Sequence, residues 1–587
     1  MNNPVLADID VGRLRRHVID ITEQFPTRLA GSENGRRMAD YSANALRTEG
    51  IDARVDEFPG LVSFPEAAEF RVLSPTGFSL EASTLGHSVP GERIRGLLVD
   101  TGSGADNEFG ADWREGCIAL SELSYNPARQ EKERIAAARG ATACVMMNWG
   151  SDDNPAIPFG SVKAAWGNPT PGPMRSEMPT VPCIGLSRKD GMALRDMLRA
   201  GPVEVELSAR VTNDWCPVQM TIAEIPGSTS ETIIVGGHQD SWQGPQATDN
   251  ATGSACLLEL ARIFNLHRDK LKRGLTFGFW VGHETGTMIG SSRFADQNWD
   301  RLRRDAVAYL QIDQPGCLGT TCWHTMSNPE MRRFHETVEA GTVPTIERRW
   351  SRAMKVGDSS FFGMGIPMFA GQGAYTREEL CRTANASFGW WHHSIHNTID
   401  KVEWDFLEAH MRTYAEYLWA LCTLPVLPFE FMSVSDEIVA RLRELSVLGT
   451  GVDLETSIGL ALTLRAGAEK LDDAALMLAR LAAAGESANS KIATVNACLK
   501  SLSRALVPLA STRIGTYGHD PYGITAQTTA LPLLYEMSQL GEGGLSGSAR
   551  AMVEIEVLRA RNRVTDTLRS AVAYVEDTLS SLNLPTH

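Results

Sequence analysis

The chain has 587 residues, room for roughly two to four domains, and its 43% hydrophobic and 22% charged content is that of an ordinary globular protein. Seventy-one acidic residues against 56 basic ones give a formal net charge of −15, which argues against nucleic acid as a partner, since that requires a basic footprint. Ten scattered cysteines with no CxxC pair read as reduced, mostly buried thiols, not a disulfide framework.

The N-terminal stretch MNNPVLADIDVGRLRRHVID lacks an apolar signal core, and nowhere does an apolar run reach the roughly 18 residues of a membrane span. The expectation is a cytoplasmic protein with no membrane partner. Residues 11–50 read as two helices joined by the turn PTRLAGSENG, with Ser32 or Asn34 as the cap of the second. From about 60 to 220, short β-type runs (RGLLVD, GCIALSE, TACVMMNW, PVEVELSARV) alternate with Gly/Pro loops. One helix, NPARQEKERIAAARGA, interrupts them, and the Pro-rich segment from Ile157 to Pro182 is expected to be mostly loop. Past 221 the texture changes. ETIIVGG, GLTFGFWVG and DAVAYLQID are continuous apolar runs, as strands buried on both faces require, and helical segments separate them. This alternation implies an α/β unit built on an open, mostly parallel sheet with helices on both faces. From about 431 onward nearly everything reads as amphipathic helix, broken at GTYGHDPYG and GEGGLSG.

Open α/β sheets bind ligands beyond the carboxyl ends of their strands. Three of the expected strands end there in metal-type side chains: His238 with Asp240 after TIIVGG, His283-Glu284 after LTFGFWVG, and Asp313 after AVAYLQI. Asp249 stands just before the helix ATGSACLLELARIF, where an anion is favoured, and WWHHSIHNTID adds His392, His393 and His396. Any one of these alone reads as a helix cap or a solvated loop residue. Several histidines and acids gathered at one sheet edge are costly unless a cation neutralises them. Mixed imidazole and carboxylate donors suit zinc, with manganese or cobalt as alternatives.

Taken in order, His238-Gln-Asp240, Asp249-Asn250-Ala-Thr-Gly253, His283-Glu284, Gln311-Ile-Asp313 and His393 resemble the dinuclear zinc exopeptidases, the family of bacterial leucyl aminopeptidases and glutamate carboxypeptidase II. The resemblance implies two divalent ions bridged by Asp249, one completed by His238 and Asp313 and the other by Glu284 and His393. Asp240 would orient His238, as metal-bound imidazoles usually require. Asp358, in GDSSFFGMGIP, would support the site from behind. The stretch GCIALSELSYNPARQEKERIAAARGATACVMMNW resembles a protease-associated domain, and the region around VNACLKSLSRALVPLAS resembles the helical dimerisation domain of glutamate carboxypeptidase II and the transferrin receptor. The implied organisation is a catalytic unit of residues 1–60 and 221–430, an inserted β-rich domain at 61–220 and a helical homodimerisation domain at 431–587.

Where the family carries a Glu-Glu pair, this chain carries His283-Glu284, so His283 replaces the glutamate that acts as general base. It takes that proton-transfer role, contacts substrate, binds a metal, or merely packs beside the site; histidine is a competent base near neutral pH. Gln311 and Asn397 are smaller departures, the second standing where an acid is usual. Trp242, Trp390 and Trp391 are candidates for an aromatic substrate pocket, Arg348, Arg349, Arg352 and Arg382 for gripping a carboxylate, and His519, in the Tyr517–Tyr522 stretch, for a contact from the helical domain. Three functions are compatible with this pattern: an exopeptidase of small peptides, a hydrolase of non-peptide amides, and an inactive receptor-like homologue, the last disfavoured by the full ligand set.

Overall fold

A computed structural model describes residues 3–343, 347–523, 529–541 and 545–582. Its strands in chain order are β1 (Asp52–Pro65), β2 (Ala67–Ser74), β3 (Phe78–Thr84), β4 (Gly91–Asp100), β5 (Ile118–Glu122), β6 (Ala143–Met147), β7 (Cys183–Leu186), β8 (Val203–Ala209), β9 (Val211–Ile225), β10 (Thr232–His238), β11 (Gly274–Trp280), β12 (Ala306–Gln311), β13 (Cys322–Ser327), β14 (Arg348–Arg352) and β15 (Met368–Ala374). Eight form one sheet in the order β1-β9-β11-β10-β12-β15-β13-β14, and the seven from β2 to β8 close into a barrel. Neighbouring strands β11, β10, β12 and β15 are parallel, and antiparallel pairs flank them. The continuous apolar runs are the reason: every residue of β10, β11 and β12 is buried, so both faces of the sheet need covering. Helices Val11–Gln24, Thr252–Leu266 and Trp404–Thr423 supply Leu14, Leu257 and Leu418 to the core on one side. On the other, Phe294 and Leu302 from two short helices pack with Trp280, Tyr309 and Phe361.

Of the two candidate caps, Ser32 holds the position. Its Oγ accepts from the Gly35 amide at 3.0 Å, while Asn34 turns back to donate to the Pro26 carbonyl. Strands β1 and β9 pair antiparallel from Asp52↔Glu224 to Pro65↔Val211, so a single two-stranded ribbon leaves the sheet and enters the barrel. The barrel has its own core of Phe70, Ile118, Val145, Ile184 and Leu207, and helix Arg129–Ala138 lies where the sequence places one. Helices Met432–Ser446, Glu455–Ala483, Asn489–Ser511 and Gly547–Leu582 form the C-terminal part and share a continuous apolar cluster with the sheet's helices. All ten cysteines are free thiols, and among the described residues no helix is long and apolar enough to cross a membrane.

Candidate metal centre

The centre forms at the carboxyl ends of three adjacent parallel strands. His238 is the last residue of β10, His283 and Glu284 follow β11, and Asp313 follows β12. Asp249 comes from the turn between β10 and helix Thr252–Leu266, and His392 and His393 come from the loop before helix Trp404–Thr423. Asn250 holds that turn in place: its amide donates to the Ile312 carbonyl, and its Oδ1 accepts from the Gly253 and Gln314 amides. A Cβ on Gly253 would lie 2.0 Å from that Oδ1, so glycine is required there.

Asp249 divides its two oxygens between two groups. Oδ1 lies 3.0 Å from His238 Nε2, which is itself 3.3 Å from Asp313 Oδ1. Oδ2 lies 3.2 Å from His393 Nε2, which is 3.1 Å from Glu284 Oε1. Donors held about 2.0–2.2 Å from a tetrahedral ion sit roughly 3.3 Å from one another, which is the spacing of these four pairs; the sets whose donor atoms all lie within 4.8 Å of one another are His238-His283-Asp313, Asp249-His392-His393 and His238-Asp249-Glu284. Three of these oxygens, Asp249 Oδ2, Glu284 Oε1 and Asp313 Oδ1, are buried with no hydrogen-bond partner among the described residues. Orphaned buried carboxylate oxygens are costly, and a pair of cations would satisfy them. The side chains therefore fit two divalent ions.

The electrostatics point the same way. Burial alone would lower the His393 imidazole, but Glu284 and Asp249 outweigh it and hold it up to about 9. At His238 burial is likewise outweighed, by Asp313 and Asp249, and its pKa stands well above the ordinary range. Burial raises Asp240 to about 6 despite the opposing pull of His238. The carboxylates are short of positive charge, and a bound cation would release the protons they hold on these imidazoles.

Asp240 holds His238 through its backbone, with its carboxylate farther off at 3.8 Å from His238 Nδ1. The Nδ1 of His238 is held by the backbone carbonyl of Asp240 at 3.0 Å, while the Asp240 carboxylate accepts from the amides of His283 and Glu284, each at 3.1 Å. Being two residues on, Asp240 has its own carbonyl nearer to the imidazole than its side chain, which is left to fix the end of β11. His283 stacks on His238 with ring centroids 4.1 Å apart, and its Nδ1 lies 2.8 Å from Asp358 Oδ2. Asp358 also accepts from Ser291 Oγ at 2.7 Å, so it supports the site through His283. Burial and His238 both push His283 down, yet Asp358 and Glu284 carry it up to about 9. Asn397 Oδ1 accepts from the amide and the hydroxyl of Thr248, and the Nδ1 of His393 has no partner among the described residues.

Most of the substrate candidates lie elsewhere. Trp242 is fully buried and donates its Nε1–H to Glu284 Oε2 at 2.7 Å, which makes it a support for a ligand and not a pocket wall. Trp391 is buried as well, and Lys401 lies over the rings of both Trp390 and Trp391. Arg352 pairs with Glu437 and donates to the Ala510 carbonyl, joining β14 to the C-terminal helices. Arg349 is taken up by Glu347 and the Tyr375 carbonyl, Arg348 is exposed, and Arg382 forms an exposed pair with Glu379 one turn away on its own helix. His519 bonds to Asp296 at 3.1 Å. Arg349, Arg352, Arg382 and His519 thus have local acidic partners in Glu347, Glu437, Glu379 and Asp296.

Sequence reasoning missed Arg28 and Arg129, and it named His392 and the Tyr517–Tyr522 stretch without singling out His392 or Tyr522. Arg28, fully buried, donates to the carbonyls of Gln239, Pro245 and Gln246 and so clamps the loop after β10. Arg129 starts the barrel helix; burial lowers its pKa, and Tyr522 and Glu284 are near enough to oppose that shift. It has no carboxylate partner among the described residues, and its Nε is buried without a hydrogen bond. Its guanidinium lies so close to Gly160 that a Cβ there would come within 2.2 Å of it. Tyr522, which bonds through its amide to the Ala164 carbonyl, is near enough to feel Glu284 and Asp313. His392 stands directly beside His393 in the cluster; burial and His393 hold its pKa well below the ordinary value.

Residues 221–418, which contain every one of the ligand candidates, match the model of Peptidase family M28. The chain is 25% identical over 319 residues to leucine aminopeptidase 2 of Trichophyton equinum, covering 54% of this chain and 60% of that protein. Similarity to the probable lipoprotein aminopeptidase LpqL of Mycobacterium tuberculosis is 26% over 412 residues, covering 64% of this chain and 77% of the relative. In fold, the chain is similar to BSAP, a zinc aminopeptidase from Bacillus subtilis, with a TM-score of 0.55 at 18% identity, covering 72% of this chain and 96% of that one. The mostly parallel sheet with helices on both faces is thus the fold of zinc aminopeptidases, as the sequence pattern implied.

Proposed function

We propose that this chain is a metal-dependent hydrolase of peptide or amide bonds whose substrate carries a carboxylate. The observation that carries the first part is the convergence of His238, Asp249, Asp313, Glu284 and His393 at spacings of 3.0–3.3 Å. His238, Asp313 and Asp249 would hold one ion, and Glu284, His393 and Asp249 the other. Bound there, divalent ions act as Lewis acids toward a carbonyl oxygen and make water a nucleophile near neutral pH. Zinc is the reading best matched to these donors, and the names of the similar proteins agree with it.

His283 is the base of this reading. Its Nδ1 is engaged by Asp358, which leaves Nε2 as the nitrogen that takes a proton from attacking water and returns it to the leaving nitrogen. Nearby cations would bring the imidazole down from the value the carboxylates impose and leave it neutral enough to accept. Asp358 fixes the tautomer, and Asp240 fixes the backbone that carries His283.

Arg129 supports the second part. A guanidinium near the centre with no acid partner is a receptor for an anion brought by the substrate, and its planar donors suit a carboxylate. Tyr522 adds a phenol on the same side. Dipeptides and N-acyl amino acids both meet this description. A panel of dipeptides, their C-terminal amides, N-acyl amino acids and acylated amines, tested with the zinc-loaded protein, separates the readings. Turnover confined to members with a free carboxylate is expected. Hydrolysis of acylated amines alone would reject the carboxylate part, and no turnover of any member by zinc-loaded protein would reject the hydrolase.

A further inference from the structure

His392 is not among the five ligands the family pattern supplies, yet it is built into the centre. It is 6% exposed, and its Nδ1 lies 3.2 Å from Asp249 Oδ2, the same oxygen that lies 3.2 Å from His393 Nε2. Asp249, His392 and His393 together form a group whose donor atoms all fall within 4.8 Å of one another. Neither Nδ1 of His392 nor Oδ2 of Asp249 makes a hydrogen bond among the described residues, although both are buried. A buried ring nitrogen aimed at a buried carboxylate oxygen, with no bond between them, leaves two unmet donor atoms facing one space. The ring cannot swing away to find a partner. It stacks on His393 with centroids 3.8 Å apart, lies against Trp149 at 5.4 Å on a barrel loop, and meets Phe388 at 5.0 Å.

We propose that His392 is a direct ligand of the ion held by Glu284 and His393, so that this position offers two imidazoles and two carboxylates. The proposal rests on the metallohydrolase reading above. His238, His283 and Asp313 also form a group whose donor atoms fall within 4.8 Å of one another, but Nδ1 of His283 is engaged by Asp358 and its Nε2 is the nitrogen assigned to proton transfer, so His238 is the imidazole committed to the other position. The two positions therefore differ in nitrogen content, and the richer one favours zinc, cobalt or nickel over manganese or magnesium. Trp149 links this to the barrel: the inserted domain holds a ligand's ring as well as presenting Arg129.

The test is metal binding, read without activity. Full-length protein stripped with a chelator is titrated with Zn2+ against a chromophoric competitor, and separately with Co2+ while its visible absorption is followed. The variants are His392→Phe, which keeps the stacked ring but no donor, and His392→Gln, which keeps polarity should the first not fold. His396→Ala is the control, since His396 packs at a tilt against Trp390 and belongs to none of the donor groups. Loss of a contact merely behind a ligand costs roughly 10–100-fold in metal affinity, so loss of the ligand itself is expected to weaken one of the two ions at least ~10-fold. The other ion should be unaffected, and the Co2+ spectrum should change only for the position that weakens. Two ions bound as in the parent, with an unchanged Co2+ spectrum, would overturn the proposal while leaving the hydrolase reading intact. A parent protein that takes up no ion at all would sink both.

Discussion

At the scale of single residues, His283 is where this chain parts from the zinc exopeptidase pattern it resembles, and its surroundings show how the change is accommodated. An imidazole in place of a glutamate brings no charge of its own, so its protonation depends on what engages its second nitrogen; Asp358 does so at 2.8 Å and is itself fixed by Ser291. His283→Ala is expected to lower kcat/KM by ~10²–10⁴-fold while elemental analysis still finds about two ions per chain, because general-base catalysis is lost and the ligands are not. Asp358→Asn should lower kcat by less, with KM unchanged, since it alters only the orientation of the imidazole. Asp249→Ala should instead lose the ions, because both groups share its carboxylate. Full activity in His283→Ala would remove it from the mechanism. His238, Asp249, Glu284, Asp313 and His393 were legible in the sequence because each ends an apolar run or borders a helix, a position that the chain order fixes. The partners of Trp242 and Asp240 were not legible for the opposite reason: whether an indole N–H meets Glu284, or a carboxylate meets the next strand's amides, is set by side-chain direction in three dimensions.

Elements carry the rest of the site, and here the hydrophobic pattern was the better guide. Continuous apolar runs identified β10, β11 and β12 and so located the edge where ligands gather, while the pairing of β1 with β9 depends on partners more than 140 positions apart and left no local trace. Helix contacts were equally hidden. Asp472, on helix Glu455–Ala483, accepts from the amides of Phe431 and Met432 at 3.1 and 3.0 Å and so caps the start of helix Met432–Ser446 across a gap in sequence. Burial outweighs those bonds and raises its pKa from the ordinary 3.8 to about 7. A carboxyl raised in the folded state binds its proton more tightly there than in the unfolded chain. Its stabilising contribution is therefore full below about pH 3.8, falls as pH rises through the interval to about 7, and is absent above it. Asp472→Asn, which cannot titrate, should flatten this part of the stability profile. Denaturant midpoints for parent and variant at pH 4.5, 5.5, 6.5 and 7.5 check it: the parent should lose stability relative to the variant across that series, and parallel profiles would contradict the assignment.

On the scale of the whole molecule, the centre is enclosed by three parts of the chain. The sheet supplies the ligands, the barrel reaches in with Phe159, whose amide bonds to the His393 carbonyl, and with Arg129, and the C-terminal part brings Tyr522, anchored on Ala164. This arrangement gives the barrel a chemical reason to be there. Arg129 is more than 100 residues from the first metal-ligand candidate, and no local pattern distinguishes it from the surface arginines around it; what does is that, among the described residues, its Nη1 meets only the Ser161 carbonyl and no acid. Its removal should therefore act on substrate choice and not on the ions. A charge-assisted hydrogen bond contributes roughly 1.5–3 kcal/mol, so Arg129→Ala is expected to lower kcat/KM for a substrate with a free carboxylate by ~10–100-fold. The same substrate with that carboxylate amidated should be turned over equally by parent and variant, since it offers the guanidinium nothing to hold. Measuring the two substrates side by side makes the ratio between them the readout, which a general loss of folding would not shift. If Arg129→Ala weakened both substrates alike, the guanidinium would be a structural strut between barrel and sheet, and the carboxylate would have to be recognised elsewhere.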